Sequence, residues 1–582
     1  MKVTKYFLPT ACMLLVTVFF MLLPDLRSCA LKEKNKNQYR LRRADAFIMA
    51  LLTFVYAAAA FTGLGDTAAP QSFVNMENRT VRLRLHAEKE PVTHLMLYTG
   101  VGIGSYTILL DDGTELRDLA FFEQSHAEVL KWQRVDLETD LTGGELVIQG
   151  SGNVWLGEVT ALTEDGTQVP LETETPELVD EQSLCPDRQT FLNSSYFDEI
   201  YHARTAWEHL HGVRPYEITH PPLGKLIISL GISLFGMTPF GWRFSGTLFG
   251  VLMLPILYVF AKKLFGGRLA PAACTTLMAT DFMHFVQTRI ATIDTYAVFF
   301  TLLMYLFMYL FVSEGRLRDL ALCGVSFGLG AASKWTCFYA GAGLAVIWVI
   351  WVIRETRAGR LRFGGFVKNA LFCVVFFILI PAGIYYLSYI PYGVARGVTN
   401  LLSGDYLKIV LDNQKYMFSY HSGLVATHPY SSYWYQWLLD IRPILYYLDY
   451  LPDGRHVSFG AFVNPVLCWG GLLSLFVLGY LALWRRDRVS GYILLGYLAQ
   501  LLPWILVPRL TFAYHYFPCT VFLALSLGRC FDLTARNEER GRLIVSGFVL
   551  LSLAVFLLFY PNLAGLPVSR GILRSWLPTW PF

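Results

Sequence analysis

Charged residues are scarce in this chain: Asp, Glu, Lys and Arg make up 16% of its 582 residues, against 54% hydrophobic ones. With a mean hydropathy of +0.42, that balance excludes an ordinary soluble protein of this size and places most of the chain in a bilayer. A strong net charge is also lacking. The value of +4 is too small to imply a nucleic-acid partner, so what matters is where the basic residues lie. The ten cysteines include no CxxC pair and no Cys/His spacing that would hold zinc. Most of them, such as Cys12, Cys274, Cys323 and Cys519, sit inside apolar runs, as small buried hydrophobes do. Neither a disulfide framework nor a metal site is expected. No internal repeat is detected, and no charges collect near a bilayer midplane, as a lipid-linked-sugar transporter would require.

What is present is a series of apolar runs near the length needed to cross about 30 Å of hydrocarbon. Tyr6 to Leu23 resembles a signal peptide with a short basic start, but no small-residue cleavage site follows, so residues 1–30 read as a retained extra helix. Ala46 to Gly63 is the first core span (44–64). Others cover 240–261, 269–287, 290–312, 318–335, 338–353, 366–390, 459–484, 489–507, 511–529 and 543–562. Basic residues stay in the cytoplasm. Lys32 to Arg43, Lys262/Lys263/Arg268, Arg316/Arg318, Arg354 to Lys368, Arg485/Arg486/Arg488 and Arg529 to Arg542 fall on alternate loops if Ala46 starts an outward-running helix. The phasing predicts eleven spans from Ala46 on in a multi-pass cell-membrane protein, with the tail 563–582 outside. It holds only if PLGKLIISLGISLFG (222–236), short for a span, lies in the outer interface.

Two large segments then fall outside the membrane. From 65 to 180 the residues alternate between apolar and polar, as in VRLRLHA (81–87) and GELVIQG (144–150), with an Asp112-Gly113 turn. This period of two predicts a small β-sandwich. After it, 181–239 forms an outer loop with interfacial helices. Residues 240–390 and 458–562 hold the remaining spans, and 391–457 reads as an outer loop rich in Tyr, Trp and His.

The same topology gathers Asp198, Glu199, His220, Lys225, Arg289, Asp294, Lys334, His428, Arg509 and His515 at the outer ends of spans. Each has a plain alternative. Adjacent acids in a loop are usually solvated, while Arg289 and Lys334 could snorkel and the histidines could be interfacial. Together they suit one chemistry, in which cations neutralise a lipid phosphate and a carboxylate takes the proton of an incoming hydroxyl. A phosphate leaving group needs positive charge more than a proton. One base on the opposite face of the sugar therefore suffices for single displacement with inversion, unlike hydrolases that pair two carboxylates.

YFDE (196–199) followed by IYHARTAWEHL, HPPLGK (220–225), FGWR (240–243), TRIATIDTY (288–296), SKW (333–335), THPY (427–430) and LPWILVPRLTFAYHYFPC (502–519) occur in order over residues 190–530. This series resembles the polyprenyl- or dolichyl-phosphate-mannose protein O-mannosyltransferases. The resemblance implies a mainly α polytopic C-type glycosyltransferase fold carrying the β-sandwich as an insert. It also implies a polyprenyl-phosphate-mannose donor, Ser/Thr hydroxyls of exported proteins as acceptors, and no cofactor or metal. Asp198 would be the general base and Glu199 its neighbour in the catalytic pair. Arg289, Lys334, Lys225, Arg509 and His515 would serve the donor phosphate, with His220, Asp294 and His428 in support. The segment 391–457 is too short for the β-trefoil of eukaryotic relatives, and the insert lies outside the common core, which leaves a lipid or cell-wall glycan open as acceptor.

Overall fold

The computed structural model describes residues 36–86, 90–535, 539–569 and 576–581. The extra N-terminal helix and part of the tail lie outside them. Among the described residues, nine helices are long and apolar enough to cross a membrane, the first Asn37–Phe61 and the last Glu539–Leu563. Two expected spans are helical but shorter. The run 318–335 is the helix Leu317–Ser333, and 269–287 divides into Leu269–Ala279 and Phe282–Thr288. The division has a local cause. Asp281 caps the second piece by accepting from the His284 N–H at 3.2 Å, and the Asn464 side chain donates to the Thr280 carbonyl at 2.8 Å. Backbone groups freed in an apolar setting need such partners. Leu223–Phe235 is a 13-residue apolar helix, about 20 Å long at 1.5 Å per residue and too short to span.

The chain divides into two compact units. Of the described residues, unit one holds those within 36–62, 217–226 and 246–581, and unit two those within 63–216 and 227–245. In unit one, ion pairs mark two opposite helix ends. Asp45 pairs with Lys262 at 2.8 Å, and Lys263 lies 3.8 Å from Glu314 at the end of Asp294–Glu314. Asp294, at the start of that same helix, meets Lys334 at 2.7 Å. The basic loop residues Lys262, Lys263 and Arg316 thus sit at the end away from Lys334.

The segment read as an aromatic loop contains more structure than expected. It includes the helix Gly404–Gly423 and the antiparallel hairpin of Ile444–Tyr450 with His456–Ala461.

Unit two contains the β-rich insert: β1 (Val74–Asn75), β2 (Thr80–Leu85), β3 (Val92–Asp111), β4 (Leu116–Gln124), β5 (Lys131–Leu141), β6 (Gly144–Thr163), β7 (Gln168–Val169) and β8 (Leu171–Thr173). The sandwich expectation needs refinement, because all eight strands join in one hydrogen-bonded sheet. β3 and β6, each 20 residues long, pair along their whole length through irregularities around Tyr98 to Gly102. Inward-facing positions change parity there. Leu95 and Leu97 enter the core before the bend, and Tyr106 and Ile108 after it, all in one buried cluster. Gly102 permits the bend: its φ is +97°, and a Cβ would lie 1.8 Å from the Asn153 carbonyl oxygen.

Candidate active site

In unit two, the YFDE stretch is a tight turn into the helix Glu199–Leu210. Phe197 has φ +48°, a left-handed backbone unfavourable for a bulky residue. Asp198 follows at the helix N-cap, and its carbonyl accepts from the Tyr201 and His202 N–H groups at 3.1 Å each. Its carboxylate does not cap the helix, and the residue is half-buried.

Glu199 is fully buried and held by Arg243, also fully buried. Arg243 Nε and Nη2 each donate to the carboxylate at 2.7 Å. The remaining N–H bonds go to the carbonyls of Leu64 (2.9 Å), Phe191 (2.8 Å) and Ser194 (2.8 Å). Every N–H of the guanidinium is engaged. The Tyr196 ring lies 4.7 Å from it, a cation–π contact, and a Cβ on Gly65 would lie 2.9 Å from Nη1. Arg243 stands in the FGWR motif yet is not among the sequence candidates, because its partners lie far away in the chain. Both oxygens of the Glu199 carboxylate are thus engaged by one guanidinium.

The insert supports this turn. Ser195 donates from Oγ to the Val129 carbonyl at 2.7 Å, and Trp207 packs edge-on to Phe73 and Trp155, both at 5.5 Å. Inside the helix, Arg204 Nε donates to Glu208 at 2.8 Å, and Glu208 accepts from the Tyr216 N–H at 2.6 Å. Burial outweighs these partners and raises the Glu208 carboxyl above its ordinary value.

In unit one, HPPLGK closes on Glu217. Lys225, fully buried, donates to the Glu217 carboxylate, and to the Glu217 and His220 carbonyls at 2.9 Å each. Every N–H of this ammonium is thus engaged. Lys225, expected at the donor phosphate, here holds the loop by its charge. Gly224 lets the helix approach Ile293, whose Cγ2 would lie 2.7 Å from an added Cβ.

Lys334 and Asp294 pair at 2.7 Å, with the Lys334 ammonium 5.6 Å from the centre of the Tyr514 ring. His220 Nδ1 lies 3.0 Å from Glu217, and its ring meets that of His421 at 5.1 Å. Burial pushes His220 below its ordinary pKa against the pull of Glu217, with Lys334 and Lys225 adding. His421, absent from the sequence candidates, bonds the Thr219 carbonyl through Nε2 at 2.8 Å. Burial, with His220, Arg509 and Lys334 adding, lowers its pKa to about 4. No local pattern marked it, since its partner lies 202 residues earlier.

His515 packs against Trp504 at 4.4 Å and Tyr514 at 4.5 Å, within electrostatic range of Lys334, Arg509 and His220. Arg509 is half-buried and makes no ion pair among the described residues. His428 lies 5.0 Å from the Phe512 ring, and its Nδ1 accepts from the Tyr430 N–H at 3.2 Å. Ser432 and Thr511 exchange bonds beside it, at 2.9 and 2.6 Å, which fixes the loop after Arg509. Arg289 is held differently: it donates to the Thr62 carbonyl at 2.8 Å and the Leu563 carbonyl at 3.4 Å, at the C-terminal ends of two helices.

Comparison with known proteins fits this arrangement. The profile for a dolichyl-phosphate-mannose-protein mannosyltransferase matches residues 219–385, and that for the C-terminal four-transmembrane region of protein O-mannosyltransferase matches 406–580. Over these two stretches the chain matches the protein O-mannosyltransferase family. A polyprenol-phosphate-mannose–protein mannosyltransferase of Mycolicibacterium smegmatis is 29% identical over 458 residues, covering 67% of this chain and 88% of the relative. The protein of that name from Mycobacterium tuberculosis is 27% identical, covering 67% and 87%. Among solved structures, the S. cerevisiae protein O-mannosyltransferase Pmt1-Pmt2 complex bound to the sugar donor aligns with a TM-score of 0.58 at 14% identity. That alignment covers 67% of this chain and 89% of the yeast chain, so the two chains share a fold.

Proposed function

We propose that this protein moves mannose from a polyprenyl-phosphate carrier to Ser/Thr hydroxyls of exported proteins, at the extracytoplasmic face of the cell membrane. The observation that carries this reading is Arg509. It is a half-buried cation without an ion pair among the described residues, in electrostatic range of His421 and His515 as Lys334 is. A phosphate esterified to a lipid is an anion that such a site would take.

In the reaction, the Asp198 carboxylate accepts the proton of the acceptor hydroxyl, whose oxygen bonds to C1 of mannose. The bond from C1 to the phosphate oxygen breaks with its electron pair, and the carrier phosphate leaves as an anion. The configuration at C1 inverts. Arg509 and Lys334 stabilise the leaving phosphate as its charge grows, with His515 beside them. Asp294 keeps the Lys334 ammonium in place. Glu199 and Arg243 fix the turn that presents Asp198, Lys225 and His220 hold the HPPLGK loop, and His428 packs against the Arg509–Phe512 loop. The reaction needs no metal on this reading. Turnover should persist in chelator below the unfolding temperature, and its loss there with recovery on adding a divalent ion would contradict the metal-free step.

The outward orientation rests on the basic residues Lys262, Lys263 and Arg316 lying at the opposite helix ends from Lys334. Purified protein given labelled polyprenyl-phosphate-mannose and a Ser/Thr peptide should place label on the peptide. Label found only in lipid or glycan products would refute protein as the acceptor.

A further inference from the structure

The insert carries a second group of acids that the transfer reaction does not use. Glu158 on β6, with Asp180 and Glu181 between two short turns at Pro176–Leu178 and Gln182–Leu184, each offer a carboxylate oxygen, all within 4.8 Å of one another. Like charges at such a distance repel by roughly 1 kcal/mol in water and about 3 kcal/mol at an effective dielectric of 20. The fold nevertheless fixes them there. Glu158 Oε2 accepts from the Glu181 N–H at 3.1 Å, Glu181 Oε2 accepts from the Gln71 N–H at 2.8 Å, and Gln182 Nε2 donates to the Val159 carbonyl at 2.9 Å.

A second observation is independent of the cluster. A hydroxyl that belongs to none of the three acids, on Tyr98, is fully buried and has no hydrogen-bond partner among the described residues. Tyr98 is paired directly with Glu158 in the β3–β6 ladder. Both side chains therefore stand on the sheet face opposite the main core. The other oxygen of Glu158, Oε1, is likewise buried without a partner. Leaving a buried polar atom unsatisfied costs about 1–3 kcal/mol, and native proteins seldom do so.

We propose that Glu158, Asp180 and Glu181 bind one hard divalent cation, with Ca²⁺ the expected ion, on the sheet face that carries Tyr98. The donors are oxygens with no imidazole among them, which favours Ca²⁺ or Mg²⁺ over zinc. Asp180 is exposed, so water can complete the shell. A bound cation would cancel the repulsion among the acids and tie the segment around residue 181 to β6.

The test uses the full-length protein in detergent, stripped with EDTA and titrated with CaCl₂ by calorimetry and thermal unfolding. One Ca²⁺ per chain and a rise in Tm are expected. Glu158→Gln and the exposed Asp180→Asn should each weaken Ca²⁺ binding at least tenfold and remove the Tm rise, while their Tm in EDTA stays at or above that of the parent. If Glu158→Gln does not fold, Asp180→Asn alone decides. No saturable binding of Ca²⁺, Mg²⁺ or Mn²⁺, or binding that survives Asp180→Asn unchanged, would overturn the site and leave a proton as the occupant of Glu158.

Discussion

The two units use their buried cations in opposite ways. In unit two, Arg243 gives every N–H to Glu199 and three carbonyls. In unit one, Arg509 makes no ion pair among the described residues, and Lys334 has one carboxylate partner, Asp294. A cation whose donors are all engaged holds the chain, whereas one with donors to spare can meet a ligand. The same contrast runs inside unit one, where Lys225 is fully engaged by the loop it closes. Residue type alone does not separate these roles. The count of satisfied donors does.

The contrast can be sharpened by substitution, starting with the largest effect. Asp198→Asn should lower turnover by about 10³-fold, within the range for removing a general base, while Tm and donor binding stay near the parent's. Next, Arg243→Ala should act mainly on stability, because it strands a buried carboxylate. A loss of about 3–5 kcal/mol is expected, read as a fall in Tm or failure to accumulate folded protein. Glu199→Gln should cost less than Arg243→Ala, since the amide keeps part of the bonding. Equal Tm for Arg243→Ala and the parent would break the comparison.

Arg509→Ala should raise the KM for the lipid donor by roughly 10- to 100-fold, the scale of a lost charge-assisted hydrogen bond, with little change in Tm. If Lys225→Met instead produced that pattern and Arg509→Ala only lost stability, the two roles would have to be exchanged. Arg289→Ala should lower both stability and turnover, since Arg289 binds carbonyls at two helix ends.

The smallest effect is on pH dependence. His421 has a pKa lowered to about 4 by burial and neighbouring cations, below the value of about 6.5 for an unfolded chain. Between these values the unfolded chain binds more protons, so His421 lowers stability as pH falls from about 6.5 towards 4. His421→Gln should flatten that part of the stability profile, and an unchanged slope would remove His421 as its source.

Much of this was legible in the sequence, for identifiable reasons. Apolar runs and the Asp112-Gly113 turn reflect local periodicity, and both reappear as helices and as the β3–β4 hairpin. The ordered motifs pointed to Asp198, Lys334 and Arg509. What was not legible depends on distant partners. Lys225 looked like a phosphate ligand because its engagement by Glu217 is a matter of loop closure. His421 sits in a helix with no distinguishing pattern and acquires its setting only beside Thr219 and His220. Arg243 acquires its role only from five contacts with acceptors on Leu64, Phe191, Ser194 and Glu199, far earlier in the chain. Alternation reports which residues of the β-rich insert face inward, not how strands 20 residues long bend at Gly102 and join all its strands in one sheet.

The most direct measurement is single-turnover transfer by purified Asp198→Asn protein, with donor affinity measured on the same sample. Donor bound as tightly as by the parent, with transfer to peptide reduced about 10³-fold, is the result this account predicts. Transfer within a few fold of the parent would contradict it.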